Sequence, residues 1–112
     1  MDVNYPRRNR KNVKKIDVNK KNLEGCLDLS DFVNLEELYC QENKLTSLVI
    51  SDGCSFSTID ACENKLEKVD FLNKIKKPEI LKRLIISNNN FSPCRLDIFA
   101  RFINLEHLSI GT

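Results

Sequence analysis

Leu35–Leu45 reads LEELYCQENKL, a frame in which Leu35, Leu38, Cys40, Asn43 and Leu45 take fixed places. Written L-x-x-L-x-C-x-x-N-x-L, it recurs at Phe56–Leu66 (FSTIDACENKL), where Phe56, Ile59, Ala61, Asn64 and Leu66 fill those places. Leu81–Phe91 (LKRLIISNNNF) supplies Leu81, Leu84, Ile86, Asn89 and Phe91. Upstream, Val13–Leu23 (VKKIDVNKKNL) fits at Val13, Ile16, Val18 and Leu23 but puts Lys21 in the asparagine place. Leu105, Leu108 and Ile110 open one more copy. First residues fall at 13, 35, 56, 81 and 105, so the steps are 22, 21, 25 and 24 residues. A fixed internal pattern at a period in the twenties marks a repeat architecture, in which each unit buries its apolar face against the next.

The frame resembles the conserved segment of the leucine-rich repeat, and the resemblance covers Val13–Thr112. It implies an α/β fold: a right-handed solenoid with a parallel sheet on its concave side, and short turns with one short helix on its convex side. Residues 1–12 then form a basic entry segment and residues 13–112 the repeat domain. Within each copy the patterned residues should make a short strand, whose apolar set faces inward while the alternate residues face the concave surface. Asn43, Asn64 and Asn89 resemble the family's ladder asparagine. A chain turning inward after its strand buries N–H and C=O groups, and an amide side chain can both donate to and accept from them. These three are therefore expected to be structural.

The connecting segments set the convex side. Leu48-x-Ile50 and Val69-x-Phe71 are too short for a regular helix and read as extended or single-turn. Asp31–Asn34 allows one turn, and Asp70–Lys77 one short turn of helix stopped by Pro78. After Phe91, Ser92-Pro93 offers an N-cap and a first-turn proline. Leu96, Phe99 and Ile103, with Phe102 alongside, then predict two to three helical turns.

With 112 residues the length suits one domain, and no apolar run approaches the ~20 residues of a membrane span. The first fifteen residues carry no apolar core of a secretory signal. Five cysteines (Cys26, Cys40, Cys54, Cys62 and Cys94) without a C-x-x-C pair favour reduced thiols, hence a cytoplasmic setting with the nucleus as the alternative. Charge is unevenly spread. Residues 1–22 hold eight Lys/Arg against Asp2 and Asp17, whereas the rest holds ten against fourteen Asp/Glu. The repeats are thus mildly acidic behind a basic entry.

Catalysis finds little footing. His107 is the lone histidine, the cysteine spacings match no zinc site, and no phosphate loop or nucleophile elbow occurs. No cofactor or metal is expected. Cys40 takes an inward place, while Cys62 should face the concave surface beside Asp60 and Glu63, carboxylates that do not favour a reactive thiolate.

The concave rows are the better candidates. They read Lys15, Glu37, Thr58, Arg83 and His107; then Asp17, Tyr39, Asp60, Ile85 and Ser109; then Asn19, Gln41, Cys62, Ser87 and Gly111. Glu37, Tyr39, Gln41, Asp60, Arg83 and Ile85 are the expected binding residues. An outward tyrosine and isoleucine can anchor a partner, and the carboxylates around them suit a basic protein. The expected role is a non-catalytic protein-interaction module.

Two alternatives stand beside it. Members of this family often sit in longer proteins, so the chain could be an interaction fragment of a larger signalling or ubiquitin-ligase protein. Leu105, Leu108 and Ile110 would leave an uncovered apolar end, and further repeats or a cap are expected beyond Thr112. The other alternative is a nuclear or nucleic-acid role for Arg7, Arg8, Arg10, Lys11, Lys14 and Lys15. No aromatic platform is interleaved with that run, so nucleic acid is the less favoured partner. Tyr5, before Pro6, is expected to fold back over the open side of the first repeat.

Overall fold

Seven strands follow one another among the described residues: β1 (Lys15–Asp17), β2 (Glu24–Leu29), β3 (Glu37–Tyr39), β4 (Lys44–Ile50), β5 (Thr58–Asp60), β6 (Arg83–Ile85) and β7 (His107–Ser109). They come from a computed structural model that describes residues 7–91 and 96–111. β1, β3, β5, β6 and β7 lie side by side in that order, each parallel to its neighbours. Each has an apolar residue between two others, and the middle residues Ile16, Leu38, Ile59, Leu84 and Leu108 stand in one register line. The first four of these are 0% exposed.

β2 and β4 pair in a second, two-stranded parallel sheet, with a register shift at Gly25/Cys26 where Gly25 takes φ +75°. A left-handed φ at a bulge is one that glycine adopts without steric cost. Leu27 and Leu29 of β2 and Leu48 and Ile50 of β4 are buried, and they join one apolar core with Ile16, Leu38, Ile59 and Leu84. The sequence reading placed extended chain at Leu48-x-Ile50 but gave no strand to Glu24–Leu29. EGCLDL buries only Leu27 and Leu29, a two-residue alternation too short to stand out.

Three asparagines tie each copy to the one before. Asn43 Nδ2 donates to the Val18 and Cys40 carbonyls (2.9 and 3.0 Å), and its Oδ1 accepts from the Leu23 amide (3.0 Å). Asn64 repeats the pattern with the Cys40 and Ala61 carbonyls and the Leu45 amide. Asn89 does so with Ala61, Ile86 and the Leu66 amide. All three are buried. The residue before this position is left-handed in each of the first four copies: Lys20 (φ 54°), Glu42 (59°), Glu63 (56°) and Asn88 (58°). That twist turns the chain inward at a cost of about 1 kcal/mol for an ordinary side chain. Only Asn88 is of a type that favours it, so residue type does not announce the turn.

Helix is scarce, and here the expectations need correction. In place of one turn halted by Pro78 there are two 3-10 turns, Asp70–Lys74 and Pro78–Ile80. Pro78 opens the second, its fixed φ suiting a first helical position. The two to three helical turns expected after Phe91 reduce to one described 3-10 turn, Leu96–Phe99. Ser92 and Pro93 lie outside the described residues, as does Tyr5. Phe102 is buried (4% exposed) whereas Ile103 is 75% exposed. The run therefore follows the three-residue period of a 3-10 turn, through Phe99 and Phe102, and not the 3.6-residue period that would bury Ile103.

A second phrase repeats in the chain. FVNLEEL (Phe32–Leu38) and FINLEHL (Phe102–Leu108) each enter a strand of the large sheet. In both, the phenylalanine is buried. In both, the asparagine side chain donates to a carbonyl over twenty residues upstream, Asn34 to Lys11 of the entry segment (2.8 Å) and Asn104 to Glu79 of the preceding copy (2.9 Å).

Candidate functional site

The face of the five-stranded sheet turned away from the core carries the candidate residues. Register places Lys15, Glu37, Thr58, Arg83 and His107 across the strands in one row. Asp17, Tyr39, Asp60, Ile85 and Ser109 form the next. Beyond the strand ends the chains stay in step, since Lys20, Glu42, Glu63 and Asn88 donate their amides to the Gln41, Cys62, Ser87 and Gly111 carbonyls. Because strand side chains alternate, both rows point opposite to the buried Ile16–Leu84 line. Glu37, Tyr39, Gln41, Asp60 and Ile85 are half-buried and Arg83 is exposed. Thr58, in the first of these rows, is only 9% exposed.

Tyr39 stands at the centre of the contacts. Its hydroxyl donates to Glu37 Oε1 (2.8 Å), and the Lys15 ammonium lies 5.4 Å from the centre of its ring. The hydrogen bond to Glu37 is the main reason the phenol titrates above its ordinary range; burial and the Glu37 charge add to it, against Thr58 and Arg83. Asp17 and Asp60 flank Tyr39 on the neighbouring strands. Each accepts, through Oδ1, the amide two residues on: Asn19 at 3.2 Å and Cys62 at 3.3 Å. Among the described residues no ion pair engages Asp17, Glu37 or Asp60. Gln41 Oε1 is buried without a hydrogen-bond partner.

The two cysteines of this region are poor nucleophiles. Burial pushes the Cys62 thiol up to about 12, helped by its bond to Asp60 and by the charges of Asp60, Glu63 and Glu42. Burial does the same to Cys40, also up to about 12. Iodoacetamide at pH 8 should therefore alkylate the exposed Cys26 first and Cys62 on the order of a hundredfold more slowly, because the thiolate is the reacting form. Site-resolved mass spectrometry checks this, and equal rates at Cys26 and Cys62 would contradict it. Cys94 lies outside the described residues. Among the described residues no group of three or more His, Cys, Asp or Glu is placed to hold a metal ion. A shallow cleft of about 380 Å³ beside β4, lined by Thr46, Leu48, Glu67 and Phe71 among others, lies apart from both rows.

The basic entry segment is altered by what Arg10 does. Residues Arg7–Asn12 form a 3-10 turn. Within it Arg10 is 7% exposed, donates to Asp31 Oδ2 at 2.9 Å and sits 5.3 Å over the Phe32 ring. Although part of the basic run over residues 7–15, it packs the turn onto the first repeat. Further along, Arg101 donates to the Leu72 and Ile75 carbonyls (3.1 and 2.7 Å), closing the end of the Asp70–Lys74 turn. No spacing rule marks either arginine.

Sixty-six residues of the chain, 59% of it, are 42% identical to a Drosophila melanogaster protein described as a PHLPP-like protein phosphatase. The chain spans about 7% of the length of that curated relative. No family model and no solved structure matches the chain.

Proposed function

We propose that the chain is a leucine-rich repeat array that binds another protein on the outer face of its five-stranded sheet and has no catalysis of its own. The observation that carries this reading is the row Asp17–Tyr39–Asp60–Ile85–Ser109, which sets a tyrosine and an isoleucine, both half-buried, among carboxylates on one continuous strand surface. Aromatic and aliphatic anchors surrounded by charge make a surface suited to a basic protein partner. The repeat reading is supported by the common frame, the parallel register and the three equivalent asparagine bridges. Nucleic acid is the weaker reading, because Arg10 is already committed to Asp31 and Phe32.

A photoreactive residue tests the face directly. Benzoylphenylalanine at position 85 should cross-link a protein partner in lysate, and the same residue at position 49, on β4, should not. Equal yields at the two positions, or a product only from 49, would overturn the reading.

A second reading, that the chain works as part of a larger signalling protein, rests on the end of the sheet. Leu108 and Ile110 are 43% and 36% exposed, whereas their register counterparts Leu84 and Ile86 are 0% and 1%. The apolar face beyond β7 would accept a further repeat or a cap, and the stretch matched within a much longer phosphatase is consistent with that.

A further inference from the structure

The ring of Tyr39 already holds a cation, and what it holds is the chain's own Lys15 at 5.4 Å. Three features make the place a receptor and not a chance contact. The ring is fixed, because its hydroxyl is tied to Glu37 at 2.8 Å. Carboxylates stand on both sides of it in register, Asp17 on β1 and Asp60 on β5, each one strand spacing of ~4.8 Å away. Glu42 and Glu63 follow Tyr39 and Asp60 by three residues each, so further carboxylates gather at this end of the strands. Lys15 and Arg83 are the cations of the adjoining row, and neither forms an ion pair with Asp17, Glu37 or Asp60 among the described residues.

We infer that Tyr39, with Asp17 and Asp60 on either side, receives the guanidinium of an arginine in the partner protein, and that Lys15 fills this place until the arginine displaces it. The inference rests on the reading of this sheet face as a protein-binding surface and names the side chain it takes. Arginine fits better than lysine because a planar guanidinium stacks on an aromatic ring while its N–H fork bonds carboxylates, whereas an ammonium is a strongly hydrated point charge. Lys15 is exposed, and a lysine's four-carbon stem can swing away at little cost.

The test uses three fluorescein-labelled heptapeptides of glycine and serine, carrying two arginines, two lysines or two citrullines, titrated into the full chain. Fluorescence anisotropy gives the affinity, and amide shifts of labelled protein locate the binding. Arginine should bind best and citrulline, isosteric but neutral, worst. Tyr39→Leu should weaken the arginine peptide about tenfold and Asp60→Asn about fivefold, magnitudes of a desolvated cation–π contact and a charge-assisted bond. Lys15→Ala should tighten it roughly two- to fivefold, because the competitor is gone. A gain cannot come from misfolding.

Equal binding of arginine and citrulline, or a Lys15→Ala variant that binds no better than the parent, would overturn the arginine site. If the amide shifts then still fall on β3, β5 and β6, the sheet face remains a binding surface and only the arginine site fails. Shifts elsewhere, or no binding by any of the three peptides, would overturn the arginine site, and shifts elsewhere would count against the binding face as well.

Discussion

Asn64→Ala is expected to lower stability by about 3 kcal/mol, far more than the loss of one surface hydrogen bond. The side chain donates to the Cys40 and Ala61 carbonyls and accepts from the Leu45 amide, and all three bonds are buried. Alanine leaves the buried Leu45 amide unpaired, at about 1–3 kcal/mol, and takes one of two donors from each carbonyl, Cys40 keeping Asn43 and Ala61 keeping Asn89, at about 1 kcal/mol per lost bond. Relaxation of the chain recovers part of that sum. Asn64→Asp should not restore stability, since one oxygen still accepts from Leu45 but the other replaces the Nδ2 donor and faces the Cys40 and Ala61 carbonyls. Lys21, exposed in the same place of the first copy, supplies the control: Lys21→Ala should change stability by less than about 0.5 kcal/mol. Urea unfolding of the three variants checks this. Equal midpoint shifts for Asn64→Ala and Lys21→Ala would contradict the role given to the asparagine.

Arg10→Ala should cost about 2 kcal/mol. The guanidinium is almost covered, lies over the Phe32 ring and donates to Asp31, so its loss removes packing, a cation–π contact and a charge-assisted bond together. Asp31 is about half exposed, which lets water take over its charge and keeps the cost below that of a buried pair. Arg10→Lys should recover less than half, because an ammonium cannot stack flat on Phe32. Hydrogen exchange supplies a local readout: in Arg10→Ala the amides of β1 should open faster while those of β6 barely change. Uniform or absent change would mean that the Arg7–Asn12 turn does not close the first repeat.

The large sheet was legible because its signal is repeated. One apolar residue at the middle of each strand and one asparagine five places on recur in copy after copy, so a weak local pattern became strong by addition. The candidate rows followed from strand alternation alone. What escaped were features carried by single residues. The left-handed Lys20, Glu42 and Glu63 belong to types with no preference for that conformation, and stacking imposes it on them. The roles of Arg10 and Arg101 carry no local signal because their partners, Asp31 and the Leu72 and Ile75 carbonyls, are 21, 29 and 26 residues distant. β2 was missed because a strand's pairing partner decides its existence as much as its own residues do. The helix expected around Leu96–Ile103 failed on a choice between Phe102 and Ile103, which differ by one position and are equally apolar.

Partner affinity of the Tyr39→Ala, Ile85→Ala double variant is the most direct test of the binding face. The partner is the one recovered through the photoreactive residue at position 85, measured by calorimetry with purified components. Both side chains lie in the row opposite to the core line, so the double variant should melt close to the parent and keep its β5–β6 amide protection. Two anchors lost from the centre of an interface should weaken binding by about a hundredfold or more. Undiminished affinity in a folded double variant would contradict the account, and unfolding of the variant would show that the row faces the core.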